Sequence, residues 1–335
     1  MKSFWKTFIL SIIFFISAIY LGSHSYTKIY REESLNNMNI IKENKSSEKV
    51  NSREENKKEV IKKEESYSSL EESFKNSKRI NALIVGLEDI RTDTIILASF
   101  HPEDKNIDFI SIPRDTYIHR RGYNQGEQRK INAIYGSHGI SGVKKAVSYT
   151  LGDVPIHHHI IMDYRGVESI VDSLGGIEVV VPFHMVYKDP TATPPLYINI
   201  PEGKQILDGK QSLNFLRYRK GNKGKSGYID GDLGRIKSQQ EFLKSFIDKT
   251  LSHKLPIVVK KGFEHIETDI KLLDGINYAT KVIGIKTDDF KFQILPGESE
   301  YKRINGKLLS YYIPNSLETK NLLETLYKVK KPPKN

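Results

Sequence analysis

The pattern of hydrophobic and polar positions divides the chain into an apolar leader, a long polar stretch and a region in which strand-like and helix-like segments alternate. Residues 81–86 and 94–100 are short, nearly continuous apolar runs, which are typical of buried strands. Residues 107–112 alternate apolar and polar positions before the run breaks at Pro113. These three segments predict neighbouring strands of one sheet.

Further elements follow from apolar residues at helical spacing and from apolar runs that stop at proline or glycine. The predicted helices cover residues 132–137, 141–151, 166–174, 233–251, 271–284 and 317–329, and the predicted extended segments cover 157–162, 177–181, 290–295 and a hairpin at 301–313. Strands alternating with helices predict an α/β fold. We therefore expect a single α/β sandwich domain over residues 80–335, with a mixed central sheet flanked by helices.

The N-terminal residues are predicted to anchor the domain in a membrane. Residues 8–21 are almost wholly apolar and follow two lysines, which predicts a short transmembrane segment with residues 1–7 in the cytoplasm. A cleaved signal peptide has nearly the same pattern, but residues 21–25 offer no good small-x-small cleavage site. Residues 22–79 are rich in Lys, Glu, Asn and Ser, so we predict a polar, mostly disordered stalk.

The composition narrows the chemistry further. The chain contains no Cys, which excludes disulfides, zinc–thiolate sites and cysteine nucleophiles. Its formal net charge is +11, of which about +7 falls in the predicted domain, and this favours anionic partners such as phosphopolymers or lipid headgroups. Nucleic acid would suit the same charge. The helices show no helix-turn-helix pair, however, and the anchor places the domain outside the cell, so we predict no nucleic-acid partner.

Two short charged segments, LRYRK and GDLGRIKSQQ, predict a site for a phosphorylated ligand. The first carries Arg217 and Arg219, and the second carries Asp232 and Arg235 at the start of a predicted helix. Arginine presents a planar fork of donors that fits phosphate oxygens, and a helix N-terminus favours an anion. We expect Asp232 to be the N-cap of this helix. An ordinary amphipathic helix with an Asp–Arg pair, after solvated arginines, is the alternative interpretation.

A second group of charged residues lies at the ends of the predicted strands. Glu88, Asp89 and Asp93 flank the first two strands, and Arg114 and Asp115 follow the third. Loops at strand ends are where α/β folds place chemistry, and so many charges are costly to bury without a ligand. The combination predicts an anionic substrate with a divalent cation. We expect Asp115 to be a structural partner rather than a catalytic group.

Six segments of the chain follow one another in the order of a known family. They are NALIVGLEDIRTDTIILASF, FISIPRDTYI, RKINAIYG, LGDVPIHHHIIMDYRGVESIVDSLGGIEVVVP, LDGKQSLNFLRYRK and GDLGRIKSQQ. Together they resemble the LytR-CpsA-Psr family of cell-wall polymer transferases, over roughly residues 81–251. The resemblance implies a single-pass membrane enzyme with an extracytoplasmic catalytic domain. Such an enzyme moves a glycopolymer phosphate from an undecaprenyl pyrophosphate carrier to peptidoglycan, at the C6 hydroxyl of N-acetylmuramic acid.

The resemblance also implies a role for each charged residue of the predicted site. It assigns Mg²⁺ or Mn²⁺ ligands to Glu88 and Asp93, pyrophosphate-binding arginines to Arg114, Arg217, Arg219 and Arg235, an acidic partner to Asp232, and further substrate contacts to Lys130 and Gln239. The chain departs from the family pattern in two places. The family usually has Asp at the first metal position, where this chain has Glu88 followed by Asp89, so that the ligand is open between them. Ser238 stands where many members carry a second arginine.

The predicted reaction is phosphoryl transfer in which arginines hold the pyrophosphate and Mg²⁺ bridges it to the two carboxylates. The acceptor hydroxyl must lose a proton, and Asp93 and Asp232 are the candidate bases. Two other functions use the same features: a polyprenyl-pyrophosphate hydrolase with water as acceptor, and a membrane-bound transcriptional regulator or attenuator. The polymer itself, whether teichoic acid, capsule polysaccharide or another secondary wall polymer, is not specified by the sequence.

Two further features each have a functional and a structural interpretation. The apolar helix face formed by Leu243, Phe246 and Ile247 suits either a groove for a polyprenyl chain or packing in the core. The three consecutive histidines at positions 157–159 suggest a metal site, but successive residues of a strand face opposite ways. We expect these histidines to be structural.

Overall fold

The computed structural model describes residues 65–192, 195–222, 226–251, 262–282, 285 and 289–330. The strands are β1 (Ile80–Glu88), β2 (Arg91–His101), β3 (Asn106–Ser111), β4 (His158–Met162), β5 (Ile177–Val181), β6 (Met185–Asp189), β7 (Leu196–Ile200), β8 (Gly203–Leu207), β9 (Ile266–Thr268), β10 (Phe290–Ile294), β11 (Gly297–Ile304) and β12 (Lys307–Pro314). The helices of eight or more residues are α2 (Tyr135–Thr150), α3 (Tyr164–Ser173), α4 (Gly209–Arg217), α5 (Asp232–Thr250), α6 (Leu272–Val282) and α7 (Ser316–Leu326), and a shorter helix, α1 (Leu70–Asn76), precedes β1.

A mixed six-stranded sheet in the order β10-β3-β2-β1-β4-β9 forms the centre of the described domain. The pairs β10/β3 and β1/β4 are parallel, and the other neighbours are antiparallel. In consequence the carboxyl ends of β1, β3, β4 and β10 and the start of β2 lie at one edge. This is the edge at which α/β sheets place ligands. The predicted α/β sandwich with a mixed central sheet is confirmed.

Each face of the sheet is covered by its own apolar layer. Leu83 and Leu97 point into a core that α2 and α7 complete. Ile96, next to Leu97 in β2, points to the opposite face, because side chains alternate along a strand. There Leu243 and Ile247 of α5 pack on the sheet, so this apolar helix face lies against the core, as the structural interpretation expected.

A second apolar cluster joins the smaller strands to the helices. The antiparallel pair β5–β8 and the hairpin β6–β7 pack with α3, α4 and α5 around Ile177, Ile198 and Phe215, and Phe246 packs against the same cluster. The sequence analysis predicted β5 but missed β6, β7, β8 and α4. The missed strands are five residues long, and the nine-residue α4 is too short to show a clear helical period.

Two glycines with positive φ mark the start of α5 and an interruption of α2. The N-cap of α5 is Gly231, with φ +58°, and Asp232 is the first helical residue, so the prediction of Asp232 as N-cap is wrong. Glycine adopts a positive φ readily, so Gly231 can occupy the N-cap position. The Asp232 carboxylate is then not used for capping and is available for an ion pair. Gly139, with φ +56°, interrupts α2 and separates the two helices predicted in that stretch.

The end of the predicted stalk is part of the folded domain. Ser69 caps α1, and the ring of Phe74 packs edge-on against Tyr327 with 5.0 Å between centroids. Tyr67 is buried, and its backbone pairs with that of Lys328 and Lys330. The predicted stalk boundary at residue 79 is therefore wrong. Large apolar residues are sparse upstream of β1, but Tyr67 and Phe74 are packed against the folded domain. The predicted anchor at 8–21 and stalk residues 22–64 lie outside the described residues.

Among the described helices none has the length and apolar character needed to cross a membrane.

The packing of α1 predicts that the stable domain begins upstream of β1. A chain that starts at residue 65 should melt at least about 5 °C above one that starts at residue 80, since burying each large apolar side chain contributes roughly 1.5–3 kcal/mol. Phe74→Ala should lower the melting temperature, whereas Glu71→Ala on the exposed face of α1 should not. Thermal unfolding of these four proteins is the measurement. Equal melting temperatures for the two starting points would show that α1 adds nothing.

Candidate active site

The predicted site residues converge at the carboxyl edge of the sheet. Glu88 ends β1, Asp93 lies near the start of β2, and Arg114 follows β3. The end of α4 and the segment after it contribute Arg217 and Arg219. These five residues, together with Arg235 of α5, line a cleft of about 220 Å³. Segments more than a hundred residues apart in sequence thus supply one cation-rich surface.

Asp232 holds two of the arginines in place from behind the cleft. Its Oδ1 lies 2.9 Å from Nη2 of Arg235 and 3.6 Å from Nε of Arg114. Arg235 is only 3% exposed, and it also donates to the backbone oxygen of Asp93 at 3.3 Å. Arg114 donates from Nη1 to Oδ1 of Asp93 at 2.6 Å. Burial lowers the pKa of Arg235, and the Asp232 carboxylate opposes that effect.

Arg217 of the cleft contacts both Glu88 and Tyr164. Arg217 pairs through Nη2 with Oε1 of Glu88, and its guanidinium lies 4.1 Å from the centre of the Tyr164 ring. Burial raises the pKa of the Tyr164 hydroxyl, and the charge of Glu88 raises it further. Tyr164 therefore stays a neutral group that stacks on Arg217. The sequence analysis did not single out this tyrosine, because nothing in its local sequence places it opposite an arginine.

Glu88 and Asp93 form a closely coupled carboxyl pair. Burial raises the pKa of Glu88, and the hydrogen bond and negative charge of Asp93 raise it further. Burial would also raise the pKa of Asp93, but the hydrogen bond from Glu88 and the charges of Arg114 and Arg235 outweigh it, so that the pKa is lowered. The two pKa values therefore shift in opposite directions, with Glu88 the weaker acid of the pair. Two carboxylates this close together offer oxygen ligands of the kind that hard divalent cations prefer.

Asp89, the alternative candidate for the first cation ligand, lies in the turn after β1 and not beside Asp93. It is exposed in the two-residue turn that joins β1 to β2, with φ +55°. Aspartate tolerates this left-handed conformation better than most residues. Its side chain borders a neighbouring cleft, whereas the Glu88 carboxylate lies beside Asp93.

The raised pKa of Glu88 predicts a specific dependence of stability on pH. A carboxyl with a higher pKa in the folded than in the unfolded state destabilises the fold once the pH exceeds its unfolded value of about 4.3. Glu88→Gln should therefore melt higher than wild type at pH 7 without divalent cations, and the difference should vanish as the pH falls below about 4. Thermal unfolding from pH 3.5 to 8 measures this, with exposed Glu298→Gln as control. A pH-independent difference would contradict the raised pKa of Glu88.

The remaining predicted residues fall around this centre. Arg219 lines the cleft and makes no ion pair with any residue in the described ranges. Lys130 Nζ lies 3.1 Å from Oδ1 of Asp115, the structural pairing expected for that aspartate, and it borders the neighbouring cleft. Gln239 donates from Nε2 to the backbone oxygen of Leu216 at 2.9 Å, which fixes the end of α4 beside Arg217. Direct contact of Gln239 with substrate stays a prediction.

The neighbouring cleft has a volume of about 520 Å³ and shares four residues with the first. The shared residues are Glu88, Asp93, Arg114 and Arg219. The rest of the first cleft adds cations and an apolar wall from the β6–β7 hairpin, formed by Tyr187, Leu196 and Ile198 with Tyr218. The rest of the second cleft is mostly polar. The apolar wall was missed because β6 and β7 were not predicted.

In the described ranges, one group of three acidic and histidine side chains lies close enough to hold a metal, and it lies apart from the cleft. It consists of Glu65, His101 and Asp104. Lys328 Nζ already lies 2.7 Å from Oδ2 of Asp104, and the Asp104 backbone N–H donates to Nδ1 of His101. We interpret the group as a clamp on the segment before α1.

The three histidines of β4 make contacts typical of structural residues. Nδ1 of His157 accepts from the backbone N–H of Asn81 at 2.9 Å. His158 and His159 both approach the carboxylate of Asp269, at 3.4 and 3.0 Å.

The fold and the cleft define an α/β protein with a cation-rich cleft at the carboxyl edge of its central sheet. The LytR_cpsA_psr family matches residues 37–328, and the chain therefore belongs to this family. The resemblance described from the sequence is confirmed.

Named relatives agree with this assignment. The chain is 27% identical over 285 residues to the polyisoprenyl-teichoic acid–peptidoglycan teichoic acid transferase TagV of Bacillus subtilis, covering 78% of this chain and 70% of that protein. It is 30% identical over 285 residues to TagU of Enterococcus faecalis, which carries the same transferase name, covering 77% of this chain and 88% of the relative. The crystal structure of B. subtilis TagV superposes with a TM-score of 0.62 at 25% identity, covering 76% of this chain and all of that one.

Proposed function

We propose that the protein is a phosphotransferase that moves a glycopolymer phosphate from an undecaprenyl pyrophosphate carrier to peptidoglycan, at the C6 hydroxyl of N-acetylmuramic acid. The observation that carries the proposal is the set of four arginines around the Glu88–Asp93 pair, beside an apolar wall. Pyrophosphate needs bidentate cationic donors, and a polyprenyl chain needs apolar surface. The transferase names of the relatives support the same reaction and favour teichoic acid as the polymer.

The arginines would act by fixed positioning. Asp232 locks Arg114 and Arg235, and Tyr164 stacks on Arg217, so their forks are oriented before the substrate binds. Preorganised donors stabilise charge that develops on a departing phosphate without reorganising at the moment of reaction. Arg219 lacks such a partner among the described residues, so its side chain would adjust its position to the bound phosphate. The site therefore combines three fixed arginines with one that adjusts.

Glu88 and Asp93 are the residues that would hold Mg²⁺ or Mn²⁺. When bound, the cation would neutralise charge on the pyrophosphate and on the leaving lipid phosphate. Of the two candidate bases, Asp232 is buried between two arginines and borders neither open cleft. Asp93 borders both, with Glu88 beside it. We therefore assign the proton of the acceptor hydroxyl to the Asp93 carboxylate.

The proposal includes the predicted location. Residues 8–21 would anchor the chain in the cell membrane with the catalytic domain outside, where peptidoglycan lies. Protease added to intact, wall-stripped cells should release a fragment that retains residue 65 and everything after it, because α1 is folded. Protection of the whole chain would contradict the extracytoplasmic location.

The reaction itself is tested with a defined polyprenyl-pyrophosphate-linked glycan and peptidoglycan oligomers in the presence of Mg²⁺. Transfer yields a phosphodiester between glycan and oligomer together with polyprenyl phosphate. Free glycan phosphate in place of the phosphodiester would instead show a hydrolase, for which the same residues suffice. Omitting the acceptor is the control, since a transferase then leaves the lipid-linked donor intact.

A further inference from the structure

We propose that the second, polar cleft binds a sugar of the acceptor peptidoglycan strand, and that Asn132 contacts this sugar directly. The inference rests on the proposed transferase function and adds to it a place for the acceptor. The pyrophosphate site leaves three features unexplained: a buried, unpaired amide oxygen, a polar wall and a second cleft that shares four residues with the first.

Asn132 carries a hydrogen-bond acceptor that the described protein residues do not satisfy. It is 4% exposed and lies in the 3₁₀ turn Ile131–Ala133, where its backbone N–H donates to the Arg114 oxygen at 3.2 Å. Its side-chain Oδ1 is buried without a hydrogen-bond partner among the described residues, and the residue borders the polar cleft. An unpaired buried polar atom costs roughly 1–3 kcal/mol. Rotation of the Asn132 amide toward the cleft would let Oδ1 accept a hydrogen bond from a ligand hydroxyl, which would remove that cost.

The charges of the two clefts select different ligands. The first cleft has five cationic side chains against two carboxylates, which suits a pyrophosphate. The second has four cationic side chains against five carboxylates, so that it offers little net attraction to an anion. Several of these charges are already paired, as Lys130 is with Asp115 and Arg91 with Glu127 at 3.7 Å. Paired charges and amides are hydrogen-bonding partners suited to a polyhydroxylated sugar.

The arrangement of the two clefts, which share four residues and are otherwise lined by different elements, favours the acceptor sugar over the first sugar of the lipid-linked glycan. In phosphoryl transfer the attacking and leaving oxygens lie roughly in line on either side of phosphorus. The leaving polyprenyl phosphate belongs to the cationic cleft with the apolar wall, so the attacking hydroxyl must arrive from the polar cleft. The sugar oxygen then bonds to phosphorus as the pyrophosphate P–O bond breaks. The hydroxyl proton passes to Asp93, which borders both clefts.

The test is steady-state transfer by the full-length protein, with peptidoglycan oligomer and lipid-linked donor varied separately. Asn132→Ala should raise KM for the oligomer about ten-fold, the loss expected for one hydrogen bond in a desolvated site. KM for the lipid-linked donor should not change, nor should the rise in melting temperature caused by polyprenyl pyrophosphate. Asn124→Ala, the same change at an exposed position of the preceding loop, should leave all three values at wild type.

The possible results separate failure of this inference from failure of the proposed function. An unchanged oligomer KM in Asn132→Ala overturns the inference, and so does a change confined to the lipid-linked donor, which would place the donor's own sugar at Asn132. If Asn132→Ala does not fold, the half-exposed Glu127 on the same wall is replaced by Ala, with about a three-fold rise in oligomer KM expected. A wild-type protein that transfers to no acceptor defeats the proposed function instead, so the two failures are distinguishable.

Discussion

Arg219→Lys should lower the rate of polymer transfer at least about 100-fold and leave the melting temperature of the ligand-free protein unchanged. Lysine keeps the charge but loses the planar fork that binds two phosphate oxygens at once. Because Arg219 makes no ion pair within the described ranges, its replacement breaks no contact there that stabilises the fold. The transfer rate and the thermal unfolding of one preparation measure both effects. Arg165→Lys, on an exposed arginine of α3, is the matched control.

Arg235→Lys provides the contrast. Arg235 is buried against Asp232 and the backbone of Asp93, so its replacement should lower stability as well as transfer. Polyprenyl pyrophosphate should raise the melting temperature of wild type through binding to the native state, and less so for Arg219→Lys. Equal shifts together with normal transfer by Arg219→Lys would contradict the arginine clamp.

Asp93→Asn should abolish measurable transfer, with a loss of at least about 1000-fold, because it removes both an oxygen charge from the carboxyl pair and the proposed base. Asparagine is preferred to alanine here, since deleting the side chain would leave Arg114 without its 2.6 Å partner and destabilise the fold. Transfer is measured against Mg²⁺ concentration, where Glu88→Gln should need more cation than wild type.

Asp89→Asn is the matched control for the carboxyl pair. Asparagine keeps the left-handed turn conformation that Asp89 adopts at φ +55°, so only the charge changes. This variant should transfer at nearly the wild-type rate. If Asp89→Asn is inactive while Glu88→Gln is active, the assignment of Glu88 as the first cation ligand is wrong.

Five of the six strands of the central sheet were predictable from their apolar or alternating runs, and most of their boundaries lie within a few residues of those observed, whereas the three-residue β9 was missed. The folded segment before β1 was not predictable from the sequence, because Tyr67 and Phe74 are isolated among charged and polar residues. Only their packing near the end of the C-terminal helix makes them part of the folded domain. The strands β6, β7 and β8 were missed for a related reason. Each is five residues long, and polar residues interrupt its apolar positions.

The charged residues of the site were identified from the sequence, but their pairing was not. Glu88 and Arg217 are joined across the fold, and no local pattern predicts that contact. Asp232 looked like a helix cap, whereas the structure places it between Arg114 and Arg235. Asn132 gave no signal at all, since a buried amide without a partner is visible only once the surrounding atoms are in place.

The most direct test of the account is the fate of the oxygen atoms in a single reaction. Lipid-linked glycan, peptidoglycan oligomer and wild-type protein are incubated in ¹⁸O-labelled water, and the products are analysed by mass spectrometry. The account predicts one polyprenyl phosphate for each glycan–oligomer phosphodiester formed, with no ¹⁸O in either product, because the attacking oxygen comes from the sugar. Glycan phosphate carrying ¹⁸O, without a phosphodiester, would show attack by water and contradict the transferase function.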